Sequence, residues 1–172
     1  MKNLTTRRIA KDGLMLALMC LMGMFSIPIG DNIKVSLQLL MVYIICLTAE
    51  SCIDCLVITS LYLLLGLFLP FYAGFSAGIT PTFGYVISFV VISPIIYFIN
   101  KINKINSLLR MPLACVAGLI VCYIVGTIFM MLYLSWDLST TLLVSVVPYI
   151  AFDVAKIVVA IAIVKLLPLR QN

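Results

Sequence analysis

The sequence predicts an all-α integral membrane protein with six transmembrane helices. Hydrophobic residues make up 65% of its 172 residues, charged residues make up only 10%, and the mean hydropathy is +1.27. A spanning helix needs about 20 apolar residues, so a chain of this length with short connections has room for roughly six. A membrane β-barrel would instead alternate apolar and polar residues over segments of about ten. We therefore expect residues 1–172 to form a single membrane domain.

Six long apolar runs define the predicted spans in chain order. They lie at 12–27, 35–49, 52–69, 82–100, 110–133 and 147–167. The second run is short, which is typical of a tilted or partly re-entrant element that is buried in protein. Pro148 is expected in the first turn of the last helix, where its missing N–H costs little. Asp153 would then lie in the outer half of the membrane.

The basic residues predict the orientation, because Lys and Arg in short loops stay on the cytoplasmic side. With an even number of spans, nearly all of them fall on one face: Lys2, Arg7, Arg8, Lys11, Lys101, Lys104, Arg110, Lys165 and Arg170. Only Lys34 falls on the opposite face. Both termini are therefore expected to be cytoplasmic, and the 28–34, 70–81 and 134–146 loops are expected to face outward. The net charge of +5 is thus a topology signal and gives no support to nucleic-acid binding.

Asp153 and Lys156 are opposite charges three residues apart in the last apolar run. A charge at the centre of a membrane helix costs about 2.5–3.5 kcal/mol on insertion scales. Positions i and i+3 share a helix face, so the two side chains can pair or can both point into one cavity. Because intramembrane ionisable residues are functional by default, we interpret them as the centre of a ligand site. The alternative is a structural pair that fixes helix packing.

The residue types argue against metal and enzyme chemistry. Cys52 and Cys55 have the spacing of zinc and thiol-exchange sites, but the sequence contains no histidine. A cysteine within an apolar span packs as a small hydrophobe. The sequence also has no Gly-x-x-x-x-Gly-Lys-Ser/Thr loop to hold nucleotide phosphates. We expect no metal, no cofactor and no enzymatic activity, and any ATP hydrolysis linked to transport would belong to another chain.

Small residues at four-residue spacing form two stripes, and such stripes let helix backbones approach closely in lipid. The stripe on the fifth predicted helix comprises Ala114, Gly118, Cys122 and Gly126, and we expect it to pack within the chain. The stripe on the first helix comprises Gly13 and Ala17. It can either pack internally or receive a partner membrane protein, and we treat it as a candidate partner interface.

The outward segment 69–85 combines glycines, aromatic rings and hydroxyl groups. Glycines permit turns and backbone movement, whereas Tyr and Phe offer flat apolar walls for a ring-shaped ligand. The segment fits a lid over a ligand, and it equally fits an ordinary tight connection between two spans.

Three groups of residues occur in a characteristic order. The first is Ile-Pro-Ile-Gly at 27–30 with Val-Ser-Leu-Gln at 35–38. The second runs from Leu-Tyr-Leu-Leu-Leu-Gly at 61–66 through Leu69-Pro70 to Pro-Thr-Phe-Gly-Tyr at 81–85. The third is Pro148 with Asp-Val-Ala-Lys at 153–156. In this order they resemble the biotin-binding S components (BioY) of energy-coupling factor (ECF) transporters. Phe75, Ser76, Ala77, Phe83 and Phe152 are bulkier than the family pattern, which narrows or reshapes the site.

The resemblance implies a subunit of the bacterial cell membrane that captures biotin and docks onto a shared ECF coupling protein and two ATPases. It implies that Asp153 accepts from the ureido N–H groups and that Lys156 donates to the ureido oxygen or attracts the valerate carboxylate. The other implied site residues are the hydrogen-bond partners Ser76, Tyr85 and Gln38 and the walls Phe75, Tyr43 and Tyr149. Two alternatives stay open: an S component for another small vitamin, and a membrane interaction or assembly protein that binds no small molecule.

Overall fold

The computed structural model describes residues 6–29, 33–102 and 106–166. The helices are α1 (Thr6–Met24), α2 (Gln38–Thr48), α3 (Cys52–Phe68), α4 (Phe83–Lys101), α5 (Ser107–Leu134), α6 (Leu138–Ser145) and α7 (Ile150–Leu166). A two-stranded antiparallel hairpin, β1 (Ser26–Ile29) and β2 (Ile33–Ser36), joins α1 to α2. The predicted all-α membrane fold is confirmed, with this hairpin as its one departure in the described part of the chain. Lys2, Gly30, Lys104, Arg170 and the predicted end of the last span at 167 lie outside the described residues.

The last helical segment is longer than predicted and is broken in its middle. A 3-10 turn at Val147–Tyr149 contains Pro148 and joins α6 to α7. The outward loop predicted over 134–146 is therefore wrong for most of its length, and Pro148 lies in the turn before α7. Asp153 lies in the first turn of α7, close to the start of the last helix as predicted. Because α6 precedes α7, the same residue lies about midway along the combined apolar segment Leu138–Leu166.

Asp137 explains where α6 begins. Its carboxylate accepts the backbone N–H of Thr140 at 3.0 Å and also accepts from the hydroxyls of Ser139 and Thr140. A side-chain acceptor at this position satisfies N–H groups that have no partner within the helix. These hydrogen bonds hold the pKa of Asp137 below its ordinary value.

If α6 and α7 are counted as one broken segment, the described chain has six helical segments, as predicted. Three are long and apolar enough to cross a membrane by themselves: Phe83–Lys101, Leu109–Leu134 and Leu138–Leu166. The second segment, α2, has only 11 residues, or roughly 16 Å at a rise of about 1.5 Å per residue. Nine of those residues, Gln38, Leu39 and Met41–Leu47, are buried. As expected for a short apolar element, α2 is surrounded by protein.

The first predicted span, 12–27, is wrong at both ends. α1 begins at Thr6, and after Met24 the chain turns into the hairpin, in which Ser26 pairs with Ser36. The early start has a physical cause, because Arg8 in the first turn is buried in an ion pair with Asp54 of α3. The sequence pattern places the charge of Arg8 at a solvated end of the chain, whereas the structure buries it within the bundle.

The fifth-helix stripe packs within the chain, as expected. A Cβ added to Gly118 would lie 2.7 Å from the side chain of Ile96, and one added to Gly126 would lie 2.3 Å from the ring of Tyr85. Ala114 is fully buried. The small residues thus allow α5 to approach α4 at a distance that larger side chains would prevent.

Apart from Lys34 in the hairpin and Lys156 in the cavity wall, the described basic residues gather at one end of the bundle, which we call the basic end. It comprises the start of α1, the α2–α3 junction at 48–54, the end of α4, the start of α5 and the end of α7. Hydrogen bonds join three of these parts: Lys11 Nζ donates to the carbonyl of Thr48 at 2.9 Å, and Tyr97 Oη donates to the carbonyl of Glu50 at 3.0 Å. The arrangement is the one expected if all these residues face the same side of a membrane.

Candidate functional site

A cavity of about 620 Å³ lies toward the other end of the bundle, between the starts of α2 and α4, the second half of α5, and the broken α6–α7 segment. Its size falls within the range of roughly 300–1,000 Å³ that is usual for small-molecule sites. Five of the predicted site residues line it: Gln38, Tyr85, Tyr149, Asp153 and Lys156. The fold thus brings together residues that are up to 118 positions apart in the chain.

Asp153 and Lys156 form a buried ion pair that lines this cavity. Lys156 Nζ donates to Asp153 Oδ1 at 2.7 Å, and the residues are only 8% and 5% exposed. The other carboxylate oxygen, Oδ2, accepts from the hydroxyl of Tyr123 at 2.6 Å. Hydrogen bonds to charged groups of this length are stronger than neutral ones. The pair therefore presents an acceptor and a donor side by side, with no net charge.

Gln38 begins α2 and is held by a chain of hydrogen bonds. Its Nε2 donates to the hydroxyl of Tyr62 at 2.6 Å, and that hydroxyl donates to the carbonyl of Phe71 at 2.8 Å. Ser36, which also lines the cavity, donates to Gln38 Oε1 at 3.3 Å. The amide of Gln38 is thereby fixed in orientation, which is the condition for it to act as a selective hydrogen-bonding group.

The break in the last helical segment gives Tyr85 its partner. The N–H of Tyr149 bonds to the carbonyl of Val146 at 2.9 Å instead of continuing the helical pattern to Ser145. The carbonyl of Ser145 is then available to accept from the hydroxyl of Tyr85 at 3.3 Å. Satisfying a helix-end carbonyl in this way costs no backbone hydrogen bond. The bond joins α4 to the end of α6 across the cavity wall.

The other three predicted site residues are not among those that line the cavity. Tyr43 is fully buried on α2, and its hydroxyl has no hydrogen-bond partner in the described part of the chain. The hydroxyl of Ser76 donates to the carbonyl of Ala73 at 3.1 Å within its own loop. Phe75 is 58% exposed, so its side chain does not form a wall.

The segment between α3 and α4 contributes Tyr72 and Ala73 to the cavity wall. The hydroxyl of Tyr72 donates to the carbonyl of Leu63, and the N–H of Gly78 donates to the carbonyl of Gly66 at 3.0 Å. A Cβ on Gly66 would lie 1.9 Å from the ring of Tyr72, so this glycine is required for the loop to seat on α3. These attachments favour a fixed wall over a moving lid.

A second buried ion pair lies at the basic end. Arg8 Nε donates to the two carboxylate oxygens of Asp54 at 3.1 and 3.2 Å, and a terminal nitrogen of the guanidinium also donates to Oδ1. The same carboxylate accepts the N–H of Ser51 at 3.0 Å, which completes a capping box at the start of α3. Asp54 lies between Cys52 and Cys55, and in the described residues no three His, Cys, Asp or Glu side chains gather as metal ligands.

The candidate partner residues on α1 are both exposed. Gly13 and Ala17 lie on a face with Leu14 and Leu21, which are 60% and 51% exposed. A Cβ added to Gly13 would have no atom within 4 Å. A glycine within a helix is less stable than alanine by about 0.5–1 kcal/mol, and here no internal contact requires it.

Tyr123 and Tyr62 were missed by reasoning from the sequence. Both are tyrosines within apolar helices, and such residues usually find a hydrogen-bond partner when they are buried. That signal marks them as worth inspection but does not identify the partner, because Asp153 is 30 positions from Tyr123 and Gln38 is 24 positions from Tyr62.

Comparison with known proteins identifies the family of this chain. The BioY family model matches residues 1–171. The chain belongs to the BioY family. The biotin transporter BioY of Thermotoga maritima is 29% identical over 158 residues, which cover 90% of this chain and 91% of that protein. A crystal structure of the S-component for biotin from an ECF-type ABC transporter has the same fold, with a TM-score of 0.82, 22% identity, and coverage of 95% of this chain and 93% of that one.

The predicted BioY resemblance is therefore confirmed, and with it the assignment to a family of transporter subunits and not of enzymes. The chain is a multi-pass protein of the bacterial cell membrane.

Proposed function

We propose that this chain is the substrate-capture subunit of an ECF-type transporter for biotin uptake. The observation that carries the proposal is the buried pair Asp153–Lys156, which lines a cavity of about 620 Å³ in a BioY-family chain. The relative from Thermotoga maritima is named as a biotin transporter, and the structural neighbour is described as an S-component for biotin. A polar pair in an otherwise largely apolar cavity suits a ligand that has a polar head and an apolar body.

The ureido ring of biotin complements this pair. One edge of a cyclic urea presents an N–H donor beside a carbonyl acceptor, and the pair presents a carboxylate acceptor 2.7 Å from an ammonium donor. Lys156 has three N–H donors, of which Asp153 takes one. In the proposed complex Asp153 accepts a ureido N–H and Lys156 donates to the ureido oxygen.

The remaining lining residues suit the rest of the ligand. Gln38 supplies a fixed amide at the start of α2, and the rings of Tyr85 and Tyr149 supply flat walls for the fused rings and the valerate chain. The described lining residues contain no cation besides Lys156. We therefore expect the valerate carboxylate to meet neutral hydrogen-bond donors or water.

The proposed partners are an ECF transmembrane coupling protein and two ATPases. The chain has no nucleotide-binding loop of its own, so ATP hydrolysis must come from other subunits. The exposed face around Gly13 and Ala17 lies on α1 near the basic end and fits a partner helix, because small residues allow close backbone approach in lipid. With both termini cytoplasmic, as the charge pattern predicts, the basic end faces the ATPases and the cavity opens outward.

Calorimetry on the purified chain with a panel of ligands tests the proposal. Biotin is expected to bind, and thiamin and riboflavin at equal concentration are not. Biotin methyl ester is expected to bind almost as well as biotin, because the pair is assigned to the ureido edge. A large loss with the ester alone would move Lys156 to the valerate carboxylate. Preference for another vitamin, or binding of none, would favour the respective alternative function.

A further inference from the structure

Tyr123 joins α5 to the charged pair on α7. Its hydroxyl donates to Asp153 Oδ2 at 2.6 Å, whereas Lys156 holds Oδ1 from the same helix. We propose that Tyr123 is a positioning residue for biotin recognition: its hydroxyl fixes the plane of the Asp153 carboxylate so that a free lone pair faces the ureido N–H. This inference rests on the proposed function and adds to it a residue that makes the carboxylate selective.

A single hydrogen bond to Asp153 does not fix the orientation of its carboxylate. A carboxylate has about four acceptor positions, two on each oxygen. With Lys156 alone, the group is held at one oxygen by a flexible side chain and can rotate about its last torsion, which is broad for Asp. The bond from Tyr123 holds the second oxygen from a different helix. One acceptor position then remains on each oxygen in a defined direction.

The surroundings of the Tyr123 ring hold that hydroxyl in place. Tyr123 lines the main cavity and also a second pocket of about 220 Å³ between α5 and α6. Apart from Thr127, the other residues around the second pocket are aliphatic: Ile124, Ile128, Leu138 and Leu142. A phenol in this position keeps its apolar ring toward the aliphatic pocket and its polar tip toward Asp153.

A comparison of biotin with its N-methylated analogues distinguishes positioning from simple structural support. Methylation of a ureido nitrogen removes the donor that Asp153 is proposed to accept, so the affinity ratio of biotin to each N-methylbiotin measures how well the carboxylate is directed. We expect one of the two analogues to bind wild type much more weakly than biotin. In Tyr123→Phe, biotin affinity should fall about tenfold and that ratio should shrink by a similar factor.

Tyr97→Phe is the matched control, because it removes a tyrosine hydroxyl that bonds to Glu50 at the basic end. It should keep both the affinity and the ratio. An unchanged ratio in Tyr123→Phe, with biotin still bound, would overturn the positioning role and leave the proposed function intact. If the wild-type chain does not bind biotin, the proposed function itself is contradicted.

A pair of further variants covers the case in which Tyr123→Phe does not fold. Tyr123→Gln and Tyr123→Met have side chains of similar length, and only glutamine can donate a hydrogen bond to Asp153. The ratio should shrink in Tyr123→Met and stay closer to wild type in Tyr123→Gln, because a replaced hydrogen bond restores part of the recognition energy. A wild-type ratio in folded Tyr123→Met would contradict the proposal.

Discussion

Two buried ion pairs, Arg8–Asp54 and Asp153–Lys156, lie in the two ends of this molecule and differ in what surrounds them. Arg8–Asp54 joins two helices, and its carboxylate is further occupied by the N–H of Ser51. Asp153–Lys156 lies within one helix and lines a cavity. A buried charge whose hydrogen-bonding positions are occupied by other protein groups is explained by helix packing. A charge pair buried beside a cavity, with donors and acceptors left over, is the arrangement to which we assign ligand binding.

The difference also separates the two tasks that we propose for this chain, which are assembly with a partner and capture of a ligand. The basic end holds α1 against the α2–α3 junction through Arg8 and through Lys11, which donates to the carbonyl of Thr48. It thereby presents the exposed face around Gly13. The cavity end leaves the polar groups of Asp153 and Lys156 in the wall of the cavity. Variants at one end of the molecule therefore test one of these tasks at a time.

The largest effect is expected from Lys156→Met, which leaves the Asp153 carboxylate buried without its cation. Breaking one side of a buried pair costs about 3–5 kcal/mol of stability, so the unfolding temperature in detergent should fall sharply. The double variant Asp153→Asn/Lys156→Met, with neither charge, should recover most of that loss and still fail to bind biotin. A single variant as stable as wild type would show that Lys156 is not needed to balance Asp153.

Gly13→Leu should prevent assembly with the coupling protein and leave biotin binding by the isolated chain nearly unchanged. Gly13→Ala is the matched control: its Cβ meets no atom within 4 Å, and it should preserve assembly and stabilise α1 by about 0.5–1 kcal/mol. Ala17→Leu should behave as Gly13→Leu does. Co-purification of the complex is the measurement, and full recovery of complex with both leucine variants would remove this face from the interface.

Asp54→Asn should lower the unfolding temperature, because it leaves the buried guanidinium of Arg8 without its anion and weakens the cap of α3. The added stabilisation that biotin gives should persist, since ligand binding stabilises a folded state according to affinity. Thermal unfolding with and without biotin measures both quantities. Loss of the biotin-dependent shift would mean that the two ends are coupled.

The smallest effect is expected in the loop between Pro70 and Thr82. Because Tyr72 and Gly78 are bonded to α3, biotin should slow the labelling of Ser76→Cys, in a cysteine-free background, by less than about threefold. Much stronger protection, with no change at a cysteine in the 101–109 connection, would restore the interpretation of this loop as a lid.

Hydropathy and charge were sufficient for the fold class, the number of segments and the face of the basic residues, because these depend on composition within a window. The capping box that starts α3 is likewise local, since Ser51 and Asp54 are three residues apart. The start of α1 was misplaced because it depends on Arg8 meeting a carboxylate 46 positions away. No local pattern carries that information.

The candidate site also contains some residues that the local sequence predicts and others that depend on tertiary packing. Asp153 and Lys156 were predicted because a charge pair is conspicuous in an apolar helix, and both line the cavity. Tyr123 was missed, and Phe75 was predicted to form a wall although it is 58% exposed, because these depend on how α5 and the loop pack. The helix α6 was taken for a loop, although Asp137 followed by Thr140 is a recognisable helix start.

Calorimetric titration of biotin into wild type, Asp153→Asn and Asp54→Asn tests the central claim most directly. Each variant replaces one buried carboxylate by an amide of the same shape, one at the cavity and the other at the basic end. We predict that Asp153→Asn loses at least about 1.5–3 kcal/mol of binding free energy, the usual value of a hydrogen bond to a charged group. Asp54→Asn should bind biotin as wild type does. Wild-type affinity in a folded Asp153→Asn variant would contradict the assignment of the site.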